Sequence, residues 1–399
     1  MKKPNNLNVV TKSISFGIAP FLLLVGCILN GELFTIKDGR TLLLTILSRL
    51  ILAAIVLIPF FQFKPHVPWP LLFMGDVVAI GFSWCPTTYL YVYLSYLFMT
   101  IGILLLYFGI TREKMYWIPI AGVLFGANIF NRIMNFTEVA FILVIWYDSI
   151  LNKDKKWIKR SLLLLGGFLG GIFVGTGAFI LFQGMDNVRG TLEGLLHLFT
   201  KERLFSEVQF FFKMLMDVFR VYFEHIKWFL GLIALIGFGN ILFMVKKEKA
   251  IWIKRLVFVA MVVLFMIWYS YNGVFTTEYT TVDCVFPLAV VFIMLSICIY
   301  ICMLVIPGVK REERLLGLVA LVILLIAPLG SSNHLFTCMN QLYLVAPITI
   351  VGGCRLSGLA TKQNVHEPLI FTGIALLGVL MVQAILFRCF FIFDGSISL

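Results

Sequence analysis

The sequence predicts an all-α membrane protein: a polytopic bundle of about thirteen transmembrane helices with an amphipathic helical segment on the extracytoplasmic side. Three observations carry this expectation. Of 399 residues, 61% are hydrophobic and only 13% charged, more apolar surface than a soluble chain of this length can hide. The apolar residues fall into long runs separated by short charged segments, and about 20 such residues cross a bilayer. Basic residues gather between alternate runs, as they do where short cytoplasmic loops are kept positive. The net charge of +12 is therefore a signature of topology, and no nucleic-acid partner is expected.

Taken in order, span 1 covers about Ser13 to Asn30, and an outer loop from Gly31 to Arg40 carries Glu32 and Asp38. Lys2, Lys3 and Lys12 precede that span with no small-residue cleavage signal after it, so it reads as a retained helix. Span 2 (Thr41 to Phe63) returns to Lys64, and span 3 (Trp69 to Trp84) contains Asp76. Cys85-Pro-Thr-Thr88 forms an outer turn, and span 4 (Tyr89 to Ile110) leads back to Arg112 and Lys114. The apolar run from Met115 to Ile150 is nearly twice the length one helix needs, and both its flanks are basic. It reads as two short helices, spans 5 and 6, that rise and return with a polar turn between them.

Span 7 (Ser161 to Gln183) is rich in glycine, and Gly166/Gly170 and Gly167/Gly171 have the spacing that lets helices approach closely. The stretch 185–228 mixes Phe and Leu at helical spacing with charged residues, as helices lying in a membrane interface do. Spans 8 and 9 flank Lys246-Lys-Glu-Lys249, Lys254 and Arg255; an outer loop from Tyr271 to Asp283 includes Glu278. Span 10 runs into Lys310, Arg311 and Arg314, and span 11 leads out to Asn333 and His334. Span 12 returns to Arg355 and Lys362, and span 13 is Leu369 to Arg388. This path places about two-thirds of the basic residues inside. The whole chain, 1–399, reads as one integral membrane domain with a cytoplasmic N-terminus, in a bacterial cell membrane. The eight cysteines are scattered, and no zinc or disulfide framework is indicated.

Candidate chemistry gathers on the outer side. Arg132 stands among Asn128, Asn131, Asn135 and Glu138, and its planar guanidinium suits a phosphate or carboxylate. An arginine snorkelling to the surface and paired with Glu138 is the structural alternative. Glu32 and Asp38 could each serve as a general base or as a ligand of a divalent cation, or be ordinary loop acids with Asp38 neutralised by Lys37 and Arg40. Asp76, an acid inside a span, is either functional or a helix–helix hydrogen bond. Glu278 and Asp283 could hydrogen-bond sugar hydroxyls, while Asn333 and His334 complete the outer polar set. Nucleotide-binding loops, the serine-hydrolase elbow and the zinc-protease pair are all absent from the sequence.

The span count, the short pair around Asn128-Ile-Phe-Asn-Arg-Ile-Met-Asn135, the preceding Leu-Tyr-Phe-Gly-Ile110 and Gly122-Val-Leu-Phe-Gly126, and the long amphipathic segment resemble polytopic glycosyltransferases of the GT-C class. Protein mannosyltransferases and the aminoarabinose transferases of lipid A are of that kind. The resemblance implies transfer of a sugar, with inversion, from a polyprenyl-phosphate donor to an acceptor at the outer leaflet. Asp38 or Glu32 would be the base, and Arg132, with Asn128, Asn131 and Asn135, would hold the donor phosphate. Asp76, Glu278, Asp283, Asn333 and His334 are the further substrate-binding candidates. In that class the first outer loop is long and helical; here it is about ten residues. A carrier or flippase for a lipid-linked glycan, using Asp76 and Arg132 without making bonds, and a non-catalytic envelope-assembly subunit are the alternatives.

Overall fold

A computed structural model of the chain describes residues 6–29, 39–83, 90–185, 189–190, 193, 201–244, 251–276, 279, 282–329, 334–360 and 367–394. Every regular element among them is helical. In chain order these are α1 (Asn6–Ser13), continued through a π-turn into α2 (Ala19–Leu29), then α3 (Gly39–Phe63), α4 (Trp69–Phe82), α5 (Leu90–Thr111) and α6 (Trp117–Asn128). A 3₁₀ segment, Ile133–Phe141, leads into α7 (Ile142–Asn152), followed by α8 (Trp157–Gln183), α9 (Lys201–Met244) and α10 (Ile251–Tyr271). The last are α11 (Phe286–Val305), α12 (Arg311–Ile326), α13 (His334–Asn340), α14 (Leu342–Ala360) and α15 (Glu367–Asp394). Nine helices among the described residues are long and apolar enough to cross a membrane, and Trp69–Phe82, Trp117–Asn128 and Leu342–Gly358 are shorter apolar ones. The chain has the helices of a multi-pass membrane protein.

Local chemistry sets the helix ends. Lys153 closes α7 in the left-handed conformation (φ 53°), and the amide of Asp154 folds back onto the carbonyl of Ser149 at 3.2 Å, which satisfies an orphan carbonyl. Gly184, at φ 84°, ends α8. Glu312 and Glu313 sit in the first turn of α12, where the helix dipole favours acids, and Glu313 accepts the Lys310 amide at 3.1 Å.

Two expected boundaries move. Lys201–Met244 is a single helix of 44 residues, passing Trp228 without a break, and its membrane-length window begins at Leu215. Asp217, Arg220, Glu224 and Lys227 recur every three or four residues, so their charges share one stripe and interrupt nothing. Likewise α8 starts at Trp157 rather than Ser161. Arg160, which precedes the expected start of that span, is buried inside the helix, where Asp148 meets it at 2.8 Å.

Contacts group the chain into two compact units, Met1–Thr88 with Val221–Val309 and Cys338–Leu399, and Tyr89–Arg220 with Lys310–Thr337. In the first unit, α4 crosses α14 so closely that Gly75 touches the backbone of Ala346 and Pro347. A Cβ at Gly81 would meet Leu380 of α15. A buried polar ladder joins α11 to α14: Tyr300 donates to the carbonyl of Val345 at 2.7 Å and lies 2.6 Å from the Thr349 hydroxyl.

The second unit is built on the seam between α6 and α8. Gly122 and Gly126 rest on the carbonyl oxygens of Leu164 and Phe168, while Gly167 and Gly171 rest on those of Pro119 and Val123. Of the two glycine pairs the sequence offered on α8, Gly167/Gly171 forms the seam. Gly166 faces open space and Gly170 has only Val123 at 3.9 Å. On the other side of α6, Gly102 of α5 receives the ring of Phe125, which stacks on Phe141 with centroids 5.1 Å apart.

Candidate functional site

The overlong apolar run divides at residues 129–132, between α6 and the 3₁₀ segment. That turn is assembled around Asn128, which is fully buried. Its amide nitrogen donates both hydrogens, to the carbonyl of Ser95 at 3.0 Å and to Oε1 of Glu138 at 2.6 Å. Its side-chain oxygen accepts from Asn131 at 3.0 Å. Its main-chain carbonyl accepts the amides of Asn131 and Arg132 and one hydrogen of the Asn135 side chain at 3.0 Å. The second Asn135 hydrogen goes to the hydroxyl of Ser95. In an apolar interior every such group needs a partner, and here four elements supply one another.

Asn128 and Asn135 thus commit both N–H groups inside the protein, so a donor phosphate of the kind the sequence reading expects them to hold would have to displace these bonds. They hold the turn; they do not reach out from it. Asn131 spends a hydrogen on Asn128 and is half-buried. The structural alternative, an ion pair between Arg132 and Glu138, is not formed: Glu138 accepts from Asn128, and its Oε2 is buried with no hydrogen-bond partner among the described residues.

Arg132 closes the turn next to this hub. It caps the 3₁₀ segment with extended backbone (φ −156°, ψ 124°), its carbonyl accepts the Asn135 amide at 2.9 Å, and its side chain is half-buried. Around it, Phe130, Ile133 and Phe136 are 43%, 46% and 52% exposed. The Phe130 ring lies on Gly175 of α8, where a Cβ would collide with it, 6.4 Å from the ring of Phe179. A half-buried cation in a turn whose neighbours expose apolar side chains suits a ligand that joins an anion to a hydrocarbon.

Glu32, Asp38, Glu278 and Asn333 lie outside the described residues. Asp76 belongs to the first unit, is buried on α4, and its Oδ2 has no hydrogen-bond partner among the described residues. Asp283, also in the first unit, is exposed on the single turn Val282–Cys284 ahead of α11. His334 begins the seven-residue α13 in the second unit. No group of acidic, histidine or cysteine side chains among the described residues could hold a metal ion.

Two polar sites escaped the sequence reading. Ser95, a lone serine in an apolar span, gives no signal by itself. Asp148, fully buried, takes Arg160 of α8 on Oδ2 at 2.8 Å and Arg311 of α12 on Oδ1 at 2.7 Å. An acid near the end of one apolar run and arginines at the starts of two others were the available hint.

No family model matches the chain, and neither a curated protein nor a solved structure matches it.

Proposed function

We propose that the chain is a membrane glycosyltransferase of the GT-C kind, moving a sugar from a polyprenyl-phosphate donor to an acceptor at the outer face of a bacterial cell membrane. The observation that carries this reading is Arg132, set by a buried polar hub beside the exposed Phe130, Ile133 and Phe136. In the reaction, Asp38 or Glu32 takes the proton of the acceptor hydroxyl, whose oxygen attacks the anomeric carbon. The bond to the phosphate oxygen breaks, and Arg132 stabilises the charge that the leaving phosphate gains. A divalent cation, if the reaction uses one, would sit on the same two acids. Topologically, the three shorter apolar helices and Arg311–Ile326 join the nine long ones as about thirteen spans, with the N-terminus cytoplasmic.

Vesicles supplied with a polyprenyl-phosphate sugar test this directly. Arg132→Ala and Asp38→Asn should each abolish transfer while the protein keeps its melting temperature. Full activity in both variants sinks the assignment.

One observation favours a second reading. Asp76, buried in an apolar helix with Oδ2 lacking a partner among the described residues, suits a carrier of a lipid-linked glycan in which no bond is made. In that case the lipid changes leaflet, Asp76→Asn stops the movement, and no glycosidic product forms.

A further inference from the structure

We propose that Asn128 and Glu138 are positioning residues of the anion site, acting through the geometry of the Arg132 turn and not through charge. This rests on the reading of Arg132 as the phosphate-holding group.

Asn128 receives or donates hydrogen bonds to Ser95, Asn131, Arg132, Asn135 and Glu138. It therefore ties α5, the end of α6, the turn and the 3₁₀ segment to one buried point. The amide of Arg132 itself ends on its carbonyl, at 3.3 Å. Glu138 completes that point by accepting one amide hydrogen. Its partner is a neutral amide, and its other oxygen meets no donor among the described residues. The carboxyl is used as the acceptor of one hydrogen bond, a task that the side-chain oxygen of glutamine performs equally. Leucine at the same place removes the acceptor and leaves a buried Asn128 hydrogen without one, at a cost the turn can relieve only by shifting. The guanidinium then leaves the place where a phosphate would meet it.

The test is native mass spectrometry of the full chain in detergent, offered a polyprenyl phosphate and, separately, the matching neutral polyprenol. The wild type should prefer the phosphate, and Arg132→Ala should lose that preference. Glu138→Leu should lose it by about tenfold with polyprenol binding unchanged, and Glu138→Gln should restore it. The double variant Arg132→Ala/Glu138→Leu should be no worse than Arg132→Ala, because both act on one contact. A merely structural role would weaken both lipids alike.

If Glu138→Leu does not fold, Ser95→Ala replaces it. That change removes the hydroxyl that accepts from Asn135 with little change of volume, and it should lower the phosphate preference in the same direction. A retained preference in Arg132→Ala overturns the functional reading itself. Loss in Arg132→Ala with retention in Glu138→Leu, or in Ser95→Ala where that is the variant measured, overturns only the present inference. Failure of Glu138→Gln to rescue overturns the claim that charge is not used.

Discussion

Gly126 presses its Cα against the carbonyl oxygen of Phe168, with no room for a methyl group between α6 and α8. Gly171 does the same to Val123 from the opposite helix. Where lipid tails are as apolar as leucine, such close backbone approach is what holds two helices together. Gly126→Ala and Gly171→Ala should each cost about 1–3 kcal/mol, read as a lower melting temperature of the purified protein. Gly166→Ala, on the open side of the same helix, should stay within about 0.5 kcal/mol. Equal loss at both positions would show that the seam is not what the glycines provide.

The clamp at Asp148 makes an asymmetric prediction. Asp148→Ala removes the shared partner of two guanidinium groups, leaving the buried Arg160 only the longer contact to Asp154 at 3.7 Å, and should cost about 3–5 kcal/mol. Arg311→Ala leaves the Asp148–Arg160 pair intact and removes a side chain already 30% exposed, so its effect should be clearly smaller. Denaturant unfolding in detergent ranks the two. The reverse order would place the main support of Asp148 in α12.

How much of this was open to the sequence depends on the range of the interactions. A helix such as Phe286–Val305 was legible because one uncharged apolar run specifies it. The turn at 129–132 was legible because Asn128, Arg132 and Asn135 interrupt such a run. Which way the amides point was not, since Ser95 lies 40 residues from Asn135 and carries no pattern of its own. Arg311 is 163 residues from Asp148, and nothing local distinguishes it from a loop cation. The long helix Lys201–Met244 was misdivided because a charged stripe along a helix resembles a surface segment until its spacing is followed past Trp228.

Asp76 separates function from stability. With no hydrogen bond to its side chain among the described residues, Asp76→Asn should leave the unfolding midpoint nearly unchanged. Asp76→Leu should raise stability by about 1–3 kcal/mol, because an unpartnered buried polar group is removed. Loss of activity in either variant without loss of stability would mark the acid as one retained for use. A destabilisation of more than about 2 kcal/mol in Asp76→Asn would reveal a partner for the carboxyl.

Tyr300 offers a smaller, cleaner test. Tyr300→Phe removes its bond to the Val345 carbonyl, but the Thr349 hydroxyl still reaches that carbonyl at 2.9 Å. The loss should therefore be about 1 kcal/mol, and Thr349→Val combined with it should cost more than either alone. Thermal melting of the three variants measures this.

The brevity of α6 has a consequence for the lipid around it. Its 12 residues rise about 18 Å, against a hydrocarbon thickness of about 30 Å. A bilayer beside such a helix either thins locally or leaves the turn sunk below its surface. In both cases a head group that meets Arg132 is drawn down out of the plane of its neighbours. Under the proposed function, selection of the lipid would begin with the depth to which it can descend.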